Sequence, residues 1–252
     1  MTFRMVPLGV GDAFTARHYS TSLALVVGAP SREEIWLLDC PHPIQKMLLE
    51  AARASGEPLE PSRVRGVILT HLHGDHASGL EGLAYWMRFH QQRKLELVVH
   101  PQVLARLWEG HLAAGMEQLM LSIDGPTVPM SLGDYFEVTP LRDDGPIVVG
   151  AVAVEGRRTI HHVPTYAMRV RAEGRTLGHS ADTAFDPSLI EWLAEADLVV
   201  HETNHGTHTP YERLAALPAE LRAKMRLVHY PDEFDVEASV IEALREGGVY
   251  RI

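Results

Sequence analysis

The sequence predicts an α/β fold in which two β-sheets pack face to face with helices on the outside. Three observations carry that expectation. Short apolar runs rich in β-branched and aromatic residues recur through the first two-thirds of the chain. Helical spacing falls between only some of these runs, which argues against a regularly alternating, doubly wound parallel sheet. No stretch of Gly, Ser and Pro is long enough to be a linker, so residues 1–252 read as a single domain.

Taken in order, strands are expected over Phe3–Leu8, Leu23–Val27 and Ile35–Leu38. Ile44–Ala54 carries apolar residues at helical spacing and stops at Gly56, a residue type that closes helices. Val64–Thr70 reads as strand, Leu80–His90 as helix, Leu95–His100 as strand and Val103–Gly115 as helix. Tyr135–Thr139, Val148–Val154, Tyr166–Arg171 and Leu198–His201 read as further strands, with shorter β-like stretches at Arg175–Ser180 and Leu227-Val228. Asp186-Pro187 looks like a helix start. So does Thr209-Pro210-Tyr211-Glu212, which has the form of a capping box with Pro at the first helical position.

Composition bounds the function. At 46% hydrophobic and 22% charged, the chain has enough apolar material for a sizeable core and too much for disorder. Its 23 basic and 33 acidic residues give a net charge of −10, which argues against a broad groove tracking a nucleic-acid backbone unless bound metal ions reverse the sign locally. The basic stretches Arg88–Lys94 and Arg169–Arg175 are short and diluted by neutral or acidic residues. A lone cysteine, Cys40, excludes an intrachain disulfide and fits a reducing compartment. Met1–Pro7 lacks a signal-peptide apolar stretch, and every apolar run is interrupted before 18 residues. The expectation is a cytoplasmic protein with a small-molecule substrate, with neither nucleic acid nor membrane as partner, and with a homodimer left open.

The sharpest local signal is Thr70-His71-Leu72-His73-Gly74-Asp75-His76, directly after the apolar Val67-Ile68-Leu69. The cluster therefore sits in the loop at a strand end. His71 and His73 are two apart and can point the same way, while Asp75 and His76 lie beyond the turn at Gly74. One short loop can thus serve two neighbouring ions, and its imidazole–carboxylate donors suit Zn, Fe or Ni without thiolate.

This His-x-His-x-Asp-His pattern resembles the signature of the metallo-β-lactamase superfamily. Leu8-Gly9-Val10-Gly11-Asp12-Ala13 is similar to the opening strand and glycine turn of its ribonuclease Z-like branch, and Leu37-Leu38-Asp39-Cys40 to that branch's supporting-aspartate segment. His161-His162-Val163-Pro164, His179-Ser180-Ala181-Asp182-Thr183, Leu198–Glu202 and Leu227–Tyr230 resemble the later segments, in the expected order. The resemblance implies the four-layer αββα sandwich of that superfamily, with two mixed sheets face to face and helices outside. It implies two divalent ions, zinc first, with Mn2+, Fe2+ or Ni2+ as alternatives. One ion falls to His71, His73 and His161, the other to Asp75, His76 and His229, with Asp182 bridging. Neighbours on a strand face opposite sides, so His161 and His162 compete for one role; the family register selects His161. Ala181 departs from the glycine usual before the bridging aspartate.

By the same resemblance Asp75 and His208 take catalytic roles, His208 by contacting a substrate phosphate or protonating a leaving group, with His205 as its neighbouring candidate. His201 is expected to orient the site, Asp39 to hold a ligating imidazole, and His42 to approach the substrate. Cys40 is expected to be a small buried residue. The implied reaction is hydrolysis by a hydroxide bridging the two metals. Only about 20 residues separate His161 from Asp182, where tRNA-processing relatives carry a long gripping arm. A small phosphodiester or cyclic nucleotide is therefore preferred to tRNA. Lactone or thioester hydrolysis, and a non-hydrolytic role like that of the pyrroloquinoline-quinone biosynthesis branch, are the alternatives.

Overall fold

The computed structural model describes residues 2–29 and 32–252; Met1, Pro30 and Ser31 lie outside it. Fifteen strands are present among the described residues. They are β1 (Thr2–Gly9), β2 (Ser22–Gly28), β3 (Glu34–Leu38), β4 (Val64–Leu69), β5 (Leu95–Val99), β6 (Gln118–Met120), β7 (Thr127–Pro129) and β8 (Phe136–Pro140). The second half adds β9 (Ile147–Val149), β10 (Val152–Arg158), β11 (Tyr166–Ala172), β12 (Arg175–His179), β13 (Leu198–Glu202), β14 (Met225–Val228) and β15 (Tyr250–Arg251).

One sheet has the order β15-β1-β2-β3-β4-β5-β8 and the other β14-β13-β12-β11-β10-β9; β6 and β7 form a small separate hairpin. Both large sheets are mixed. The first turns parallel from β3 onward, the second from β12 onward. Every residue of β2 is buried, as expected of a strand covered on both faces. A continuous apolar core takes side chains from both sheets, including Trp36 and Val67 from the first and Val170 and Val199 from the second. No helix of the described residues is long and apolar enough to cross a membrane.

The helix Ile44–Ser55 shows why sequence spacing works here. Ile44, Met47, Leu48 and Ala51 recur at i, i+3, i+4 and i+7 and are the buried residues, and Gly56 closes the helix at φ 74°. The helix start expected at Asp186 is present too, with the Asp186 side chain accepting the Ser188 amide.

Three elements differ from expectation. Val148–Val154 is not one strand: β9 and β10 form a hairpin pairing Val149 with Val152. Gly150, at φ 53°, supplies the positive φ that a two-residue loop needs. The helix expected over Val103–Gly115 runs from Pro101 to Leu107, loosens into a π-turn at Trp108–Leu112 and resumes at Ala113–Met116. Thr209 caps nothing. The helix Tyr211–Ala215 begins behind Pro210, while the buried Thr209 hydroxyl donates to the Thr183 carbonyl at 2.9 Å. That bond ties the 203–209 loop to the loop carrying Asp182.

Gly79 has a comparable duty. Its amide donates to the Cys40 carbonyl at 2.8 Å, and a Cβ there would come within 2.4 Å of the Pro41 carbonyl oxygen. Only glycine lets the Asp39 loop lie this close to the loop after β4.

Candidate metal centre

The candidate site sits where strands of both sheets end. The loops after β3 and β4 bring Asp39 and the His71–His76 cluster; those after β10, β12, β13 and β14 bring His161, Asp182, His208 and His229. A backbone bond from the Tyr166 amide to the Thr70 carbonyl, 3.2 Å, joins the two sheets at this edge. Rigid strand ends therefore aim the donors.

Asp39 organises the first loop. Its Oδ1 accepts the Thr70 amide at 2.8 Å, while Oδ2 accepts the Thr70 hydroxyl at 2.7 Å and lies 2.8 Å from His76 Nδ1. His76 therefore carries its proton on Nδ1 and presents the Nε2 lone pair. Because the Thr70 hydroxyl proton is committed to Asp39, its oxygen accepts from His71 Nδ1 at 2.9 Å. His71 likewise presents Nε2. Asp39 thus holds the His76 imidazole, one of the expected ligands, and orients that of His71 through Thr70.

The donors gather in two groups. His71 Nε2 is 3.1 Å from His73 Nδ1 and 3.6 Å from Asp182 Oδ2. His161 Nε2 is 3.4 Å from His73 Nδ1 and 3.9 Å from Asp182 Oδ2. In the second group His76 Nε2 lies 3.4 Å from both Asp75 Oδ2 and Asp182 Oδ1. His229 Nε2 lies 3.2 Å from Asp75 Oδ2 and 3.7 Å from Asp182 Oδ1. Four ligands placed tetrahedrally at roughly 2.0–2.1 Å from a zinc ion would stand about 3.4 Å apart. Both groups match that spacing, and Asp182 gives one oxygen to each. The inward Nε2 lone pair of His71 meets His73 Nδ1 at 3.1 Å, a separation that a cation held by both nitrogens would also give. The residues therefore fit two divalent ions.

Electrostatics separates the halves. Burial pushes His71 well below the usual imidazole range, lowers His73 and brings His161 down to about 4, so all three stay neutral, the form that ligates. Burial also opposes charge on His76 and His229, but Asp182 and Asp75 outweigh it, raising His76 well above the usual range and His229 to about 9, so without a cation these two imidazoles favour an Nε2 proton, whose place a bound ion would take. Burial raises the Asp75 and Asp182 carboxyls, yet the facing His76 and His229 hold both well below the usual carboxylate range.

His161 and His162 lie in the bend between β10 and β11, not on a strand as the alternation argument assumed, yet their side chains still part. His161 joins the cluster, while His162 Nε2 touches the outward Nε2 of His73 at 3.0 Å. His208 sits beside Asp182 and His229, and its Nδ1 lies 2.9 Å from Glu202 Oε1. That hydrogen bond raises the His208 pKa, against burial.

Other expectations need correction. His201 does not orient the site; its Nδ1 goes to the Glu202 carbonyl at 2.7 Å, and the Glu202 side chain does the holding, also accepting the Thr183 amide at 2.6 Å. The alternation of β13 turns neighbouring side chains to opposite faces, and the inward one is Glu202. His42 is exposed, and its recorded bond is from its backbone amide to Ser78 Oγ. It stays off the site cavity because the chain turns directly into the helix at Ile44. His205 is exposed at the rim, paired with Glu233 at 3.1 Å. Cys40, by contrast, is the small buried residue expected, and burial pushes its thiol up, so it stays protonated.

Sequence reasoning missed Glu202, and also Phe14, which stands 92% exposed at the lip of the site cavity of about 550 Å³. Backbone strain marks the same place. Asp39, Ala181 and His229 adopt φ of 61°, 51° and 57°. Left-handed backbone explains why glycine suits position 181. Ala181→Gly is expected to raise unfolding stability by up to about 1 kcal/mol, read as the denaturant midpoint; a lower midpoint would show that the buried methyl outweighs the strain.

The sequence profile of the Anti-Pycsar protein Apyc1 family matches residues 3–246. The chain belongs to that family. Among relatives, an Anti-Pycsar protein Apyc1 of Paenibacillus sp. (strain J14) is 31% identical over 265 residues, covering 100% of both chains. One of Bacillus phage 010DV004 is 29% identical, covering 99% of this chain and 98% of its own. Among solved structures, the metallo-β-lactamase fold protein YhfI of Bacillus subtilis superposes with a TM-score of 0.77 at 18% identity over 100% of both chains. A diphosphatase of the PhnP family gives 0.72 at 14% identity, over 99% of this chain and 98% of the other. These Apyc1-family residues are therefore built on the metallo-β-lactamase fold, the αββα sandwich that the motifs implied.

Proposed function

We propose that the protein hydrolyses a small phosphodiester, a cyclic nucleotide being the preferred class, at two divalent ions held by the cluster. The observation that carries this reading is the four-donor group His71, His73, His161 and Asp182 next to the group Asp75, His76 and His229, with Asp182 Oδ1 3.4 Å from His76 Nε2 and 3.7 Å from His229 Nε2 and His208 alongside. His71, His73, His161 and Asp182 Oδ2 would hold one ion, and Asp75, His76, His229 and Asp182 Oδ1 the other. Divalent cations there, zinc suiting these donors first, would supply concentrated positive charge and water acidified toward neutral pH.

The chain's own residues do the rest. Asp39 and Thr70 fix the tautomers of His76 and His71 so that Nε2 faces inward. Asp75 and Asp182 place anionic charge where two cations must sit. His208 has Nδ1 engaged by Glu202, which leaves Nε2 to donate a proton to a departing alkoxide, and the Glu202 carboxylate stabilises the imidazolium beforehand.

Two features support a small substrate. The interval between His161 and Asp182 is filled by β11 and β12, paired from Met168–His179 to Ala172–Arg175 as a tight hairpin within the sheet. A net charge of −10 supplies few cations for a long polyanion. Metal-supplemented protein is expected to cleave cyclic nucleotides and bis-p-nitrophenyl phosphate, to lose both activities on chelation, and to leave precursor tRNA largely intact. Turnover of homoserine lactones or glutathione thioesters alone would sink the phosphodiester reading. Efficient removal of a 3′ trailer at physiological salt would overturn the size limit.

A further inference from the structure

Beside the site cavity lies a second one of about 430 Å³, walled by Tyr211 and Phe234 and ringed by Glu212, Glu233 and Asp235. The two share Asn204, His205, Gly206, Pro231 and Glu233. They adjoin because of the chain path: the loop carrying His208 runs straight into Tyr211, and the loop carrying His229 runs straight into Phe234. The same two loops that build the cluster therefore build its neighbour.

The aromatic wall is held in place. Tyr211 and Phe234 meet edge to face at 5.2 Å and 71°, and Phe234 also packs on Tyr230 at 5.5 Å. The Tyr211 hydroxyl accepts the Val240 amide at 2.7 Å, which fixes the ring against the 235–240 loop. Fixed aromatic rings suit a planar, uncharged partner. Three carboxylates at the rim repel a second phosphate.

We infer that this cavity is the base-binding half of a mononucleotide site, taking the nucleobase of a nucleotide whose phosphodiester lies at the Asp75–Asp182 cluster. The inference rests on the phosphodiester reading above and deepens it. It orients the substrate, with the anionic end toward the groups that would hold cations and the neutral aromatic end toward the acidic-rimmed aromatic cavity. It also disfavours substrates that would carry another phosphate in that direction, such as linear dinucleotides phosphorylated at both ends.

The test compares two esters, a nucleoside 3′,5′-cyclic phosphate and the base-free 1-O-methylribose 3′,5′-cyclic phosphate, on the metal-loaded protein. Ala238 is exposed at the cavity wall, so Ala238→Trp inserts a ring there without disturbing a packed core. The ratio of kcat/KM for the nucleotide over the base-free ester should fall tenfold to a hundredfold, the range that base–aromatic stacking spans. Phe234→Leu should lower the same ratio, chiefly through a higher KM. An unchanged ratio in both variants would overturn the base cavity, as would a change of oligomeric state in Ala238→Trp with the ratio intact, which would assign the cavity to a second copy of the chain. If the wild-type protein cleaves neither ester, the phosphodiester reading itself fails, an outcome distinct from cleavage of both with an unmoved ratio.

Discussion

Asp182→Ala should leave the protein with at most one tightly bound ion per chain and lower phosphodiester hydrolysis by about three orders of magnitude. Asp182 is the residue with one oxygen in each donor group, 3.6 Å from His71 Nε2 on one side and 3.4 Å from His76 Nε2 on the other. Removing it opens both groups at once and takes away the anionic charge between them. Metal-ion stabilisation of developing charge contributes several kcal/mol, and each 1.36 kcal/mol is tenfold in rate, so a loss of about 4 kcal/mol gives the stated factor. Elemental analysis of protein expressed with supplemented metal, alongside kcat/KM on bis-p-nitrophenyl phosphate, checks both halves. Asp182→Asn keeps the shape and one carbonyl oxygen, so it separates loss of charge from loss of packing at this buried position. Two ions retained in both variants would refute the shared-ligand arrangement.

Much of this was legible in the sequence because the relevant signals are local. Strands such as Leu23–Val27 and Leu198–His201 announce themselves by composition. The His71–His76 cluster follows an apolar run, so its position at a strand end needs no tertiary information. Ligands from far along the chain, His161, Asp182 and His229, are different. Nothing in their spacing brings them together, and they were reached through a family resemblance whose fold the solved structures share.

What stayed illegible depends on contacts between distant segments. Glu202 and His201 are equally polar neighbours on β13, and only the direction of the pleat, set by the sheet's partners, sends Glu202 inward. Thr209 has the local signature of a helix cap, but a buried carbonyl at Thr183, 26 residues away, claims its hydroxyl. The π-turn at Trp108–Leu112 interrupts a helical pattern that looks continuous. At Thr209 the tertiary satisfaction of a buried carbonyl overrode a short-range preference. The aromatic cavity belongs to the same class, since Tyr211 and Phe234 are 23 residues apart in sequence and are joined by the loops that also bring His208 and His229 together.

The adjacent histidines give the second large effect. His161→Ala should weaken binding of one of the two ions more than hundredfold, whereas His162→Ala should keep both, with affinity lowered about tenfold. His161 Nε2 faces His73 Nδ1 at 3.4 Å and Asp182 Oδ2 at 3.9 Å, inside the donor group. His162 instead meets the far nitrogen of His73, Nε2 to Nε2 at 3.0 Å, and so steadies a ligand from outside. Losing an outer support of that kind typically costs ten- to a hundredfold in metal affinity, and losing a donor costs more because a position is left open. Competition with a chromogenic chelator at fixed pH measures both affinities on the same scale. The His161 side chain is buried among the other donors and not in the apolar core, so its removal should leave that core and the circular dichroism spectrum intact. Full stoichiometry in His161→Ala together with loss of an ion in His162→Ala would reverse the assignment, and would require the 159–165 loop to rotate so that the other imidazole enters the group.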